Sequence, residues 1–212
     1  MPNIETARAW YDNSDPVHDF DHIQRVYRLA EKIALAEGAD LEIVRAAALL
    51  HDAEGSDPAD QARRALHQHA SAAFAAEVLQ AEGWSEARIA AVQHCIRAHR
   101  FRDTSEPPGT LEAKILFEAD KLDSIGAIGV ARVIAFSTRV PQPVYAPPSQ
   151  QFIETGRREP GESYSSYHEY IFKLGRIKER MYTQTGKALA EERHRVLSEF
   201  FQCLVAEWNG EK

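Results

Sequence analysis

A chain of 212 residues with 44% hydrophobic side chains can bury a core without crosslinks, and its two cysteines, Cys95 and Cys203, stand in no CxxC spacing, which excludes a disulfide framework and a thiolate zinc site. A formal charge of −7 disfavours stable, non-specific binding to nucleic acid, which needs an excess of Lys and Arg on one face. The first residues lack the basic start and apolar run of a signal peptide, and the stretch Ile125 to Phe136 is too short, and interrupted by Arg132, to span a bilayer; a soluble, cytoplasmic protein is expected.

Helical periodicity dominates and no alternating run predicts a strand, so the fold class is all-α. A short helix is expected over Ile4 to Tyr11. A second starts near Asp19, presents Phe20, Ile23, Val26, Tyr27, Ala30 and Ile33 on one face, and stops at Gly38. Asp40 then caps an apolar helix from Leu41 to about His51, in which IVRAAALL carries a single charge. Asp57 and Pro58 open a segment to about Glu82, with a break expected near His67 and a stop at Gly83.

Ser85 caps a helix to about His99 with Ile89, Val92 and Ile96 inward, and RFRDTSEPPG follows as a polar loop. Thr110 restarts the pattern toward Ile115, Leu116, Ala119 and Asp120, and glycines 126 and 129 precede a helix to about Thr138. Val140 to Ser163 holds five prolines and no helical period, and reads as one long loop. Two last helices are expected over Tyr164 to Thr183 and Gly186 to Trp208, the latter with Ala190, His194, Leu197, Phe201, Leu204 and Trp208 on one stripe. The expectation is a single domain over 1–212, with a core at about 17–140 and the helices at about 164–208 forming a packing hairpin.

The segments HDFDHIQRV (18–26), AAALLHDAEG (46–55) and FEADKLDSIGAIGVAR (117–132) concentrate imidazole and carboxylate at helix ends. Such mixed N and O donors suit a divalent ion, and a His and Asp set leaves positions open for water and substrate. Neighbours in a helix point about 100° apart, so His51 and Asp52 can share one ion only where their helix ends.

This ordered combination resembles the HD-domain metal-dependent phosphohydrolases, in a small single-domain bacterial branch, and the likeness runs from about Val17 to Trp208 and includes KLGRIKERMYTQTGKALAEER. The resemblance implies one divalent metal ion (Mn, Mg, Co, Ni, Fe or Zn) on His22, His51, Asp52 and Asp120. His22 is preferred over His18 as first ligand because it stands one turn before the Arg25 and Val26 pair. His18, Glu54 and Asp123 are then candidates around the reacting water, and Arg25, His99, Arg100 and Lys121 for binding phosphate. The implied reaction is hydrolysis of a phosphoester or phosphoanhydride in a phosphorylated small molecule, with nucleotides in the substrate class. A homodimer is compatible with this reading.

Two alternatives stand beside it. In an HD-type di-iron oxygenase, His69 with His94 or His99 would hold a second metal; in a non-catalytic regulatory module the cavity would bind a nucleotide without turning it over. Taken singly, His67, His168 and His194 are expected to be surface or packing residues.

Overall fold

The computed structural model describes residues 2–11, 20–54, 61–100 and 106–212, with backbone alone for 61–66. Among the described residues the chain is all-α, with no strand. No helix among them is long and apolar enough to cross a membrane. The helices are α1 (Ile4–Ala7), α2 (Phe20–Glu37), α3 (Leu41–Leu50), α4 (Gln61–Ala81), α5 (Glu86–Ala98), α6 (Leu111–Leu122), α7 (Gly126–Arg139), α8 (Gln150–Thr155), α9 (Ser166–Phe172) and α10 (Gln184–Trp208). Two compact units are formed, one from residues 1–121 with 182–186, the other from 122–181 with 187–212.

In the first unit α2 and α3 lie against each other because Gly38 ends α2. With φ +75 it adopts the left-handed conformation that costs glycine little, and its N–H and that of Ala39 both return to the Ala34 carbonyl, at 2.9 and 3.1 Å. Asp40 then starts α3, accepting from the N–H groups of Glu42 (3.0 Å) and Ile43 (3.2 Å), and its carboxylate also takes Arg88 from α5. The inward face of α2, with Ile23, Val26, Ala30 and Ile33, and nearly every side chain of α3 from Ala46 onward are buried. Helix α4 runs without a break at His67, contrary to expectation; α3, α4 and α5 contact one another.

Buried Glu118 ties α6 to the segment ahead of α10. It accepts from the main-chain N–H of Tyr182, from Thr183 N–H at 2.6 Å and from the Thr183 hydroxyl at 2.7 Å, and so satisfies donors just ahead of α10. A Cβ at Gly186 would collide with this carboxylate, which explains the glycine.

The second unit departs further from the sequence expectation. The segment 140–163 contains α8, capped by the Ser149 hydroxyl, which accepts from Phe152 N–H at 3.0 Å, and closed by Gly156 at φ +71. It is fastened rather than loose. The Glu162 carboxylate accepts from Ser149 N–H (2.6 Å), Ser149 Oγ (2.7 Å), Glu159 N–H (2.7 Å) and His168 Nε2 (3.1 Å), and the His168 ring is wholly buried. The long helix expected over Tyr164 to Thr183 is instead α9 followed by a 3-10 segment, Leu174–Arg180, where Gly175 approaches the Tyr170 carbonyl too closely for an unshifted side chain. On α10, Ala190, Leu197 and Phe201 are buried as expected, Phe201 stacking on Tyr170 at 4.5 Å, but Trp208 is 64% exposed.

Candidate metal centre

The site lies in the first unit, where α3 ends. Its last carbonyls each find a separate partner: Ala48 C=O accepts from His51 Nδ1 (2.9 Å), Leu49 C=O from the Tyr11 hydroxyl (2.7 Å), and Leu50 C=O from Ala53 N–H (3.3 Å). The first of these bonds fixes the His51 tautomer, so that Nε2 carries the lone pair. His51 and Asp52 occupy a turn, as sharing an ion requires.

His22, from the buried face of α2, meets them. Its Nε2 lies 3.9 Å from Asp52 Oδ2 and 3.5 Å from Asp120 Oδ1, and His51 Nε2 lies 3.6 Å from Asp52 Oδ2. An ion bonded to nitrogen and oxygen at about 2.1 Å sets neighbouring donors roughly 3.0 to 3.5 Å apart, so a shift of a few tenths of an ångström accommodates it. His51 Nε2 and Asp52 Oδ1 are moreover buried without a hydrogen-bond partner, a costly arrangement that a cation relieves. The donor set therefore fits a divalent metal.

Asp52 also looks the other way. Its Oδ1 lies 3.2 Å from His67 Nε2 and 3.6 Å from His99 Nε2, and Asp52, His67 and His99 form a second group able to hold a metal. His99 is buried, with Nδ1 against the Ile96 carbonyl at 2.5 Å, so Nε2 faces Asp52 just as in His51. Burial pushes the His99 pKa down to about 3 against the pull of Asp52, which leaves a neutral imidazole. Burial alone would raise both Asp52 and Asp120, but their polar neighbours prevail: His51, His67 and His99 hold Asp52 well below the ordinary carboxylate range, and Lys121 with His22 does so for Asp120.

The histidines expected around a second metal sort differently from the sequence reading. His69 is exposed. His94 accepts from Gly109 N–H at 3.1 Å and donates from Nδ1 to Glu106 at 2.6 Å, an arrangement that also takes Arg97. His99 is at the site, and His67, expected at the surface or in packing, is its partner. No local signal marks His67: it sits in the middle of a helix, fifteen residues beyond Asp52, and only the crossing of α4 with α3 brings it there. Tyr11 was likewise invisible as a member of the site.

The remaining candidates are placed as follows. His18 lies outside the described residues. Lys121 is ion-paired with Asp120, and Arg100 points Nη1 toward Gln68 Oε1 at 3.5 Å. Arg25 is half-buried on α2, and Glu54 is exposed two residues past Asp52, its N–H bonded to Ser71 Oγ. Asp123 belongs to the second unit, where it is buried and paired with Arg132 Nη1 at 2.5 Å. His168 and His194 also lie in that unit.

Comparison with known proteins gives concordant results. The HD domain family model matches residues 19–125. YpgQ of Bacillus subtilis (strain 168) is 33% identical over 217 residues, covering 99% of this chain and 96% of the relative. The crystal structure of Bacillus subtilis YpgQ in complex with ADP superposes with a TM-score of 0.72 at 30% identity over 97% of each chain. An HD-superfamily hydrolase of Bacillus thuringiensis superposes with the same TM-score at 26% identity, covering 97% of this chain and 94% of the other.

Proposed function

The chain belongs to the HD-domain family, and from that premise we propose that it hydrolyses a phosphoester or phosphoanhydride with one divalent cation held by His22, His51, Asp52 and Asp120. The observation that carries the reading is the orphaned, buried His51 Nε2, which shares the Asp52 Oδ2 oxygen with His22 Nε2. A cation there supplies a Lewis acid that lowers the pKa of water and withdraws charge from a phosphoryl oxygen.

The protein's own groups do the rest. His51 and His99, each fixed through Nδ1, present their Nε2 edges without reorganisation. Asp52 and Asp120 are ionised and balance the cation. To Lys121 and Arg100 falls the binding of a phosphorylated ligand in a chain of net charge −7, and to exposed Glu54, two residues past Asp52, the role of accepting a proton from water. Asp123 is taken by Arg132 in the second unit and is assigned no step. A nucleotide is the proposed substrate class, supported by the ADP held in the YpgQ structure, and the cytoplasm the proposed compartment.

One observation favours a second reading, a further cation on Asp52 Oδ1, His67 and His99. It would serve hydrolysis or oxygen chemistry, and iron content with visible absorption separates the two. The primary test is release of phosphate or pyrophosphate from a panel of nucleotides and phosphomonoesters, using metal-stripped protein resupplied with Mn, Mg, Co, Ni or Zn. Metal-dependent release supports the hydrolase; binding without release under every metal supports the regulatory module.

A further inference from the structure

The corner that carries His51 and Asp52 is shaped by a residue from the far N-terminus. In a continuing α-helix the Ala53 N–H would donate to Leu49 C=O, four residues back. Here it donates to Leu50 C=O at 3.3 Å, and Leu49 C=O instead holds the Tyr11 hydroxyl at 2.7 Å. His51, the C-cap, keeps helical φ −65 and ψ −30, and the chain leaves the α3 path beyond it, at the turn that carries Asp52.

We propose that Tyr11 is a positioning residue for the metal centre, its hydroxyl ending α3 at Leu50 so that His51 and Asp52 turn toward one cation. The inference rests on the metal reading of the site. Tyr11 is held for this task by packing on both sides. Its ring lies 5.7 Å from that of Phe20, and it belongs to a cluster with Ile4, Ala7, Trp10, Ile23 and Leu49. Trp10 in turn meets Phe74 of α4 edge-on at 5.7 Å.

The test is calorimetric titration of Mn2+ into the metal-stripped full chain, comparing the wild type, Tyr11→Phe and Asp52→Ala, with thermal melting of each metal-free protein. Tyr11→Phe keeps the ring and its packing. It is expected to bind Mn2+ about 10- to 100-fold more weakly, the loss typical of groups that orient a metal ligand, while remaining folded. A hydroxyl that served only stability would lower the melting temperature and leave Mn2+ affinity unchanged; affinity within twofold of wild type would overturn the inference while Asp52→Ala loses the metal. Wild-type Mn2+ affinity in Asp52→Ala would overturn the metal assignment itself, and the role of Tyr11 with it.

Discussion

Asp52 Oδ1 lies 3.2 Å from His67 Nε2, and Asp52 Oδ2 lies 3.6 Å from His51 Nε2. A single carboxylate thus faces an imidazole of α4 through one oxygen and that of the turn after α3 through the other. If His67 and His99 hold a second cation, His67→Ala will reduce the metal content from two equivalents to one and slow turnover about 10-fold or more. Metal analysis of the purified protein decides this, since one equivalent in both proteins excludes the second position.

Asp52→Ala removes the carboxylate common to both groups. Turnover is expected to fall at least about 100-fold, with the far-ultraviolet circular dichroism of a helical protein retained. In the wild type, free Mn2+ at about 100 times its dissociation constant should stabilise the fold by about 2.7 kcal/mol, and the variant should gain nothing. Equal thermal shifts in the two proteins would refute the ligand assignment.

Gly186 stands where a methyl group would enter the Glu118 carboxylate. Gly186→Ala should cost about 1–3 kcal/mol by overpacking. Glu118→Gln should cost about 1.5–3 kcal/mol, because it weakens the acceptor of Thr183 N–H and Oγ1 in a buried place. Urea unfolding measures both, and values within 0.5 kcal/mol of wild type would show that this contact does not hold the segment ahead of α10.

The Glu162 carboxylate has its pKa lowered to about 2, because donors from Ser149, Glu159 and His168 outweigh its partial burial. A depressed folded-state pKa means that this group stabilises the fold fully above its ordinary value near 4.5, and that the contribution fades as pH falls toward 2. Glu162→Gln should therefore flatten the stability profile between about pH 5 and pH 2. It should also speed proteolytic cleavage within 140–163 at neutral pH, as read by limited digestion.

What local pattern specifies, the sequence determined. The all-α class follows from the 3.6-residue period. The pairing of α2 with α3 follows from Gly38 and Asp40, whose conformational and capping preferences act over a few residues. The resemblance to the HD-domain family implied His22, His51, Asp52 and Asp120 as ligands, and Asp52 and Asp120 each follow an unusually apolar stretch, where an unpaired carboxylate would be costly.

The short helix α8 was missed even though its cap Ser149 and its stop Gly156 were both legible, since five prolines suggested a loop. Other features had no such local signal. Whether His67 or His69 faces Asp52, whether His94 is free to bind metal or taken by Glu106, and whether a tyrosine at position 11 reaches the carbonyl of residue 49 depend on how α4, α5 and the N-terminal segment lie against α3. Those contacts join residues 12 to 38 positions apart. Side-chain period and capping chemistry extend only a turn or two along the chain, so such contacts are decided by the packing of helices, and the full shape of the site with them.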